Sequence, residues 1–183
     1  MNKMLLIVDP QVDFINGSLP VAGASTAMDA LAGYVKESGN EYIVKIVTSD
    51  WHPYHHCSFD REGGQWPPHC VQHSVGAAIW QSLLVALNES QGGFTLLYKG
   101  DSIDKDEYSI MQNEKSANVL LRLISALRIG QIDICGLAGN VCVLNTAKDL
   151  KEIVGGSMIH ILEEYSPSLD DGTALKEFIK ELQ

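Results

Sequence analysis

The sequence has few features of a membrane, secreted or nucleic-acid-binding protein. Its first apolar run, Lys3–Val8, is too short to cross a bilayer, and we expect no signal peptide. The sequence shows no internal repeat, low-complexity stretch or interdomain linker. Basic residues are scarce, with 13 Lys and Arg against 23 Asp and Glu, which gives a net charge of −10. Phosphate backbones and anionic lipids repel an acidic chain. We therefore expect no nucleic acid and no membrane as a partner, which leaves small molecules and proteins.

Cysteine is also scarce, with 4 residues in a chain of 183. Small secreted domains that rely on disulfides have a much higher density, so we expect free thiols and a reduced, cytoplasmic protein. The chain is long enough to bury a substantial core, and 45% of its residues are hydrophobic. We predict one globular domain spanning residues 1–183.

Short apolar runs alternate with amphipathic segments along the chain. The runs predicted as strands are Met4–Val8, Tyr42–Thr48, Phe94–Tyr98, Ile132–Cys135 and Ser157–Leu162. The segments with helical spacing are Ser25–Glu37, Val75–Asn88, Ala117–Leu127, Cys142–Ile153 and Leu169–Leu182. Apolar strands separated by amphipathic helices predict an α/β fold with three α/β/α layers and a mainly parallel sheet of about five or six strands.

Two stretches lack helix or strand periodicity, roughly Asp50–Ser74 and Gly100–Ser116. The first is rich in Pro, His and Trp. Its prolines and aromatics argue against disorder, and a loop of this length is usually functional. The second stretch is polar and could form part of a lid.

Cys142 follows a run of small residues, Gly136-Leu137-Ala138-Gly139-Asn140. Such residues let the chain turn sharply, and Asn140 can cap a helix that begins near Val141. Cys142 would then lie in the first helical turn, where the helix dipole and free N–H groups lower a thiol pKa and suit an oxyanion. This segment alone fits a buried core cysteine equally well. Cys135, inside a predicted strand, is assigned to the core.

Two charged residues stand at the ends of predicted strands, Asp9 after the first and Lys99 after the third. Taken singly, Asp9 fits a loop cap and Lys99 fits a solvated surface lysine. The carboxyl ends of parallel strands meet at one edge of a sheet, where Cys142 is also expected. In that arrangement Asp9 can take the thiol proton, and Lys99 can hold both anions in place.

The first irregular stretch is crowded with residue types that bind metals. Asp50 and His52 are two apart at a strand end, where alternate side chains share a face, and His69 follows later in the stretch. Two imidazoles and a carboxylate leave positions open for water or substrate, a set that suits Zn²⁺ and also Fe²⁺ or Mn²⁺. Spacing alone does not decide which histidines are ligands, so contributions from His56 and Glu62 stay open. The alternative is a polar, His-rich loop without an ion.

Four further aromatic side chains are assigned from their neighbours in sequence. Phe14 and Trp66 lie close in sequence to candidate site residues, so we predict that they line an aromatic slot. Trp80, inside a predicted helix, is assigned to the core. His160, in the last predicted strand, is assigned a structural role.

Several segments together form a recognisable set. They are Asp9-Pro10-Gln11-Val12-Asp13-Phe14, Asp50-Trp51-His52-Pro53 with His56-Cys57-Ser58-Phe59, Trp66-Pro67-Pro68-His69-Cys70-Val71, Lys99-Gly100 with Tyr108-Ser109, and Gly136-Leu137-Ala138 with Cys142-Val143 and Thr146-Ala147. This set resembles the isochorismatase-like cysteine hydrolases and, within that superfamily, the nicotinamidases. The resemblance covers nearly the whole chain, its most specific part is the metal-loop pair, and it implies a Rossmann-like sheet.

The resemblance implies a metal-dependent amidase that converts nicotinamide to nicotinate and ammonia and feeds NAD salvage. Asp9 would act as general base and then as acid, and Lys99 would orient it. Cys142 would attack the carboxamide carbon to form a thioester. Backbone N–H groups of Ala138 and Cys142 would hold the oxyanion, and a cis peptide is implied between Leu137 and Ala138.

The resemblance also implies the metal and substrate contacts. Asp50, His52 and His69 would bind a divalent metal ion, with Zn²⁺ preferred and Fe²⁺ or Mn²⁺ also fitting, and the ion would position the pyridine nitrogen. Phe14 and Trp66 would flank the ring of nicotinamide. Relatives commonly self-associate, which implies a homo-oligomer.

One segment departs from the family pattern. Gly139-Asn140-Val141 stands where a Thr-Asp pair and a bulkier or aromatic residue are more usual. This departure bears on substrate choice and turnover more than on fold or metal. Two alternatives stay open: a related hydrolase of another small amide, such as a pyrazinamide-like or ureido compound, and a non-catalytic metal-binding protein on this scaffold.

Overall fold

The computed structural model describes residues 1–182 of the chain. The strands in these residues are β1 (Asn2–Val8), β2 (Tyr42–Asp50), β3 (Thr95–Lys99), β4 (Ile129–Gly136) and β5 (Ile159–Ile161). They form one sheet in the order β3-β2-β1-β4-β5, and each neighbouring pair is parallel. The predicted parallel α/β sheet is confirmed.

Helices cover both faces of the sheet. In residues 1–182 they are α1 (Val12–Ile15), α2 (Ala24–Ser38), α3 (Gln81–Glu89), α4 (Glu114–Ala126), α5 (Leu144–Val154) and α6 (Thr173–Glu181). Leu5 and Ile7 of β1 share one core with α2 and α3, whereas Met4 and Leu6 share the other with α4, α5 and α6. Strand β1 is therefore apolar on both faces, which explains its continuous apolar sequence. None of these helices is both long and apolar enough to cross a membrane.

The predicted helix Val75–Asn88 is wrong over its first residues, because α3 begins only at Gln81. The segment before α3 is irregular since it bonds to the loop after β1, as the Trp80 N–H does to the Pro10 carbonyl at 2.8 Å. Trp80 lies ahead of the helix and is only partly buried, and its indole N–H donates to Asp29 at 2.7 Å. The placement of Trp80 inside a helix is therefore wrong, whereas its assignment to the core holds in part, because the side chain packs against the core shared by α2 and α3.

Two predicted elements near the end of the chain are also too long. The predicted helix Leu169–Leu182 begins only at Thr173, after Gly172 turns the chain with a φ of +73°. The last strand is limited to Ile159–Ile161, because residues 156–158 form a short 3-10 turn. Both corrections lie where glycines break the apolar pattern.

The carboxyl ends of four strands meet at one edge of the sheet. Asp9 directly follows β1, Asp50 is the last residue of β2, and Lys99 is the last residue of β3. Asp50 and Lys99 are register partners. Gly136 ends β4 and leads into the turn that carries Cys142. This edge is where open α/β sheets bind their ligands.

Candidate active site

The Lys99 ammonium is the centre of the candidate site. It is fully buried, and its Nζ lies 2.9 Å from Asp9 Oδ2 and 2.5 Å from Asp50 Oδ1. The same Nζ lies 3.5 Å from Cys142 Sγ and donates to the Glu107 carbonyl at 3.1 Å. Burial alone lowers a lysine pKa, but Asp50 and Asp9 reverse this effect and raise the pKa of Lys99 well above its ordinary value. The structure thus brings together the three predicted catalytic residues Asp9, Lys99 and Cys142, which we call the catalytic trio.

Asp9 occupies an unusual backbone conformation directly after β1. Its φ is +46°, in the left-handed region that residues other than glycine seldom adopt. Burial raises the pKa of the Asp9 carboxyl even though the charge of Lys99 opposes this shift. A carboxylate with a raised pKa suits a group that must accept a proton at one step and return it at another.

Cys142 lies in a wide turn rather than in the first turn of an α-helix. Residues Gly139–Val143 form a single π-type turn, and α5 begins only at Leu144. Burial raises the pKa of Cys142 well above its ordinary value, and the charge of Lys99 opposes this shift without reversing it. The predicted lowering of the thiol pKa is therefore wrong, because burial outweighs the local helix terminus. The resting group is a thiol that needs a base.

Asn140 does not act as a helix cap. The helical turn follows Ala138 without any side-chain cap, and Asn140 Oδ1 instead accepts a hydrogen bond from the Leu169 N–H at 2.9 Å. Glycine is needed at the preceding position, since a Cβ on Gly139 would lie 2.3 Å from the Ser166 carbonyl oxygen. The predicted cap is wrong because the wide turn draws Asn140 toward the segment before α6.

The turn before Cys142 provides a hydrogen-bond donor for an oxyanion. The Leu137–Ala138 peptide is cis, as the family resemblance implied. Within residues 1–182 the Ala138 N–H has no hydrogen-bond acceptor, and Ala138 lines the same cavity as Cys142. A free N–H beside a nucleophile can bind the negative charge that develops on a carbonyl oxygen.

Asp50, His52 and His69 form a second group, which we call the metal trio. Their donor atoms lie within 4.8 Å of one another, with Asp50 Oδ2 at 3.5 Å from His52 Nε2 and 4.0 Å from His69 Nε2. His52 Nδ1 is bonded to the Gly100 carbonyl at 3.0 Å, and His69 Nδ1 to the Pro67 carbonyl at 2.8 Å. Each ring therefore turns its Nε2 toward a common point. The trio can hold a divalent metal ion and leave positions open for water or substrate.

Backbone contacts hold the loop that carries His69 against the end of β2. The His52 N–H donates to the Cys70 carbonyl at 3.1 Å, and the Cys70 N–H donates to Asp13 Oδ2 at 2.7 Å. Gly100 packs so tightly on His52 that a Cβ there would lie 2.4 Å from the imidazole ring. These contacts bring ligands from distant parts of one long loop to the same place.

The two residues that spacing left open do not join the metal trio, although the His56 ring packs against the His52 ring with centroids 4.1 Å apart. Both nitrogens of His56 are occupied, Nδ1 by the Ser58 hydroxyl at 2.7 Å and Nε2 by the Lys105 carbonyl at 3.0 Å. Glu62 pairs instead with the exposed His55 at 2.7 Å. The geometry therefore favours a set of three protein ligands.

Both predicted aromatic residues line the cavity that contains Cys142, and this cavity together with its open mouth spans about 370 Å³. The Phe14 ring centroid lies 5.4 Å from that of His69, and the Trp66 indole N–H donates to the Tyr108 hydroxyl at 3.1 Å. The cavity is small enough for a single substituted ring. Lining residues that the sequence reasoning missed are Leu19, Asp106, Glu107 and Leu169. Tyr108 and Val141 also line the cavity, and both lie in segments that the family comparison had singled out. The lack of periodicity after Lys99 was the only signal for Asp106 and Glu107.

These features define a hydrolase-type site in which a cysteine, a base and a metal trio share one edge of a parallel sheet. The Isochorismatase domain family matches residues 3–164, and the chain belongs to this family. Over 155 aligned residues it is 31% identical to the nicotinamidase/pyrazinamidase of Mycobacterium tuberculosis, covering 80% of this chain and 77% of that relative.

Solved structures show the same fold. The pyrazinamidase of Pyrococcus horikoshii in complex with zinc aligns with a TM-score of 0.83 and 26% identity, covering 100% of this chain and 96% of that one. PnC1 from L. infantum in complex with nicotinate aligns with a TM-score of 0.81 and 30% identity, covering 99% of this chain and 89% of that one. The chain is thus similar to nicotinamidases and pyrazinamidases over nearly its whole length.

Proposed function

We propose that this protein is a nicotinamidase, an amidohydrolase that converts nicotinamide to nicotinate and ammonia through a thioester on Cys142. The observation that carries the proposal is the buried Lys99 ammonium, which joins base, nucleophile and metal carboxylate beside one aromatic-lined cavity. The activities named for the relatives support the same assignment. The nicotinate formed would feed NAD salvage.

In the first half of the reaction, Cys142 Sγ attacks the carboxamide carbon while Asp9 takes the thiol proton. The carbonyl oxygen becomes an oxyanion and is held by the N–H groups of Ala138 and Cys142. Asp9 then returns its proton to the amide nitrogen, the C–N bond breaks, and ammonia leaves. Lys99 stays protonated throughout and stabilises the negative charge that passes between Asp9 and the sulfur.

In the second half, a water molecule hydrolyses the thioester. Asp9 takes a proton from the water, and the resulting oxygen nucleophile attacks the acyl carbon at the same oxyanion position. The C–S bond breaks, Asp9 returns the proton to Cys142 Sγ, and the nicotinic acid formed gives up its carboxyl proton to water and leaves as nicotinate. Asp9 therefore serves twice as base and twice as acid, which requires a carboxyl whose pKa is not strongly depressed.

Phe14 and Trp66 would flank the ring, and the metal trio lies at the same cavity. We propose Zn²⁺ as the ion, and Fe²⁺ or Mn²⁺ accept the same ligands. When bound, the ion would supply a Lewis-acid contact that orients the ring nitrogen. A cytoplasmic location and self-association stay predictions from the sequence.

The proposal is tested by following ammonia release from nicotinamide beside a Cys142→Ala variant. We expect loss of the nucleophile to lower kcat by about 10⁴-fold or more while metal content and the unfolding midpoint stay unchanged. Cys57→Ala, at a partly exposed cysteine far from the catalytic trio in sequence, is the matched control and should keep full activity. Undiminished release by Cys142→Ala would contradict the proposal, as would the absence of release from folded, metal-loaded protein.

A second candidate is hydrolysis of another small amide by the same machinery. Val141, part of the segment that departs from the family pattern, lines the cavity directly and bears on which ring is accepted. Comparing kcat/KM for nicotinamide with pyrazinamide and a ureido compound separates the two candidates. A non-catalytic role instead predicts that Cys142 is alkylated no faster than a free thiol.

A further inference from the structure

Thr48, on β2, is bonded to Asp9 in both directions. The Thr48 hydroxyl donates to Asp9 Oδ1 at 2.6 Å, and the hydroxyl oxygen lies 3.2 Å from the Asp9 N–H as acceptor. The Asp9 N–H also donates to the Thr48 carbonyl at 3.1 Å. Thr48 is fully buried, so water does not compete for these bonds. One residue therefore fixes both the backbone and the carboxyl group of Asp9.

The two oxygens of the Asp9 carboxyl are consequently unlike. Oδ1 accepts the hydroxyl proton of Thr48, whereas Oδ2 lies 2.9 Å from Lys99 Nζ but accepts no well-directed hydrogen bond. In residues 1–182, Oδ2 is the one buried side-chain polar atom without a hydrogen-bond partner. Buried oxygens are rarely left in this state, and the exceptions are often functional. A carboxylate oxygen of Asp9 also lies within 4.8 Å of Cys142 Sγ.

Thr48 and Asp50 lie on the same face of β2, next to Asp9 and Lys99. Thr48 lies two residues before Asp50 on the same strand, so both side chains project from the same face. Asp50 contacts Lys99 on that face, and Thr48 contacts Asp9. The end of β2 thus holds both carboxyl partners of the Lys99 ammonium at a fixed spacing.

We propose that Thr48 is a positioning residue that reserves Asp9 Oδ1 as an acceptor and so directs proton transfer from Cys142 to Oδ2. Protonation of Oδ1 would place its proton against the Thr48 hydroxyl, which must then give up its own donor bond. Without the hydroxyl the carboxyl can rotate, and the two oxygens exchange roles. The inference rests on the proposed function only in taking Asp9 as the base.

The test compares Thr48→Val, which keeps the shape and removes the hydroxyl, with Thr48→Ser, which keeps the hydroxyl. We expect Thr48→Val to lower kcat for nicotinamide by about 10- to 100-fold with KM within about threefold of wild type. Metal content should not change. Thr48→Ser should recover kcat to within about threefold, and Thr48→Ala should behave like Thr48→Val.

A second measurement does not depend on nicotinamide as substrate. The rate of Cys142 alkylation by iodoacetamide reports how readily the thiol gives up its proton, with Cys142→Ala as the blank. Thr48→Val should slow this labelling by about 10-fold, and Thr48→Ser should not. If wild type fails to hydrolyse nicotinamide, the proposed function fails, yet the labelling series still decides the role of Thr48.

Three outcomes would overturn the inference. Thr48→Val could keep kcat and the labelling rate within threefold of wild type. Thr48→Ser could be as impaired as Thr48→Val, so that the hydroxyl is not responsible. Failure of both Thr48→Val and Thr48→Ala to fold would assign Thr48 a structural role in place of the proposed one.

Discussion

The catalytic trio comes from the ends of three different strands, whereas the metal trio comes from the end of one strand and from a long loop. Sheet register therefore fixes the relative places of Asp9, Lys99 and the turn before Cys142. In the metal trio, Asp50 is placed by β2, whereas the place of His69 depends on individual hydrogen bonds such as the one from the Cys70 N–H to Asp13. The strands themselves therefore set the positions of the catalytic trio, whereas the metal trio also needs hydrogen bonds that hold the loop against the sheet.

Asp50 belongs to the metal trio and also contacts the catalytic trio through Lys99. Its Oδ1 lies against Lys99 Nζ, and its Oδ2 faces the imidazoles of His52 and His69. Burial alone would raise the pKa of Asp50, but Lys99 and His52 lower it overall, so the group is a carboxylate. A substitution of Asp50 should therefore affect both trios at once.

Asp50→Asn should have the largest effect, because it changes the residue through which the two trios touch. The amide cannot balance the buried Lys99 charge, and removing one partner of a buried ion pair costs about 3–5 kcal/mol of unfolding free energy. We expect loss of both metal and activity, measured by metal analysis, urea unfolding and ammonia release. Asp60→Asn makes the same chemical change at an exposed position of the same loop and should leave all three unchanged. A variant that lost metal but kept wild-type stability would show that the buried Lys99 charge does not need Asp50 to balance it.

His52→Ala should weaken the metal trio and leave the catalytic trio intact. We expect the metal Kd to rise by about 100-fold or more, beyond the effect of losing an outer-shell partner, and KM for nicotinamide to rise with it. The catalytic trio keeps its contacts, so Cys142 alkylation should stay near the wild-type rate. His55→Ala, at an exposed histidine of the same loop, is the matched control. Unchanged metal content in His52→Ala would remove His52 from the ligand set.

The closeness of Asp9, Lys99 and Cys142 could be predicted from the sequence for a physical reason, while their catalytic roles stay a prediction. Parallel strands present their carboxyl ends at one edge of the sheet, so residues that follow these strands are expected near one another. The shared direction of the Asp50 and His52 side chains followed from strand alternation. His69 depended on family resemblance, because the path of a long loop is set by tertiary hydrogen bonds that spacing does not encode.

Features that depend on burial were missed or wrong. Threonine is an ordinary residue in a strand, and nothing in the sequence around Thr48 shows that its hydroxyl donates a hydrogen bond to Asp9. Glu107 contacts Lys99 through a backbone carbonyl, which any residue type could supply. The predicted direction of the Cys142 pKa shift was wrong, because the burial that raises this pKa depends on packing from several elements at once.

Asn140→Ala should have the smallest effect, because Asn140 contacts neither trio. It removes the acceptor for the Leu169 N–H, a bond at the surface worth about 1 kcal/mol of unfolding free energy. Since Leu169 lines the cavity, we expect KM for nicotinamide to rise by about twofold to threefold with kcat and metal content unchanged. Asn140→Asp keeps an oxygen at the same place and should behave as wild type in urea unfolding and steady-state kinetics. A loss of kcat in Asn140→Ala that Asn140→Asp restores would instead show that this contact holds the turn of Cys142 in its reactive position.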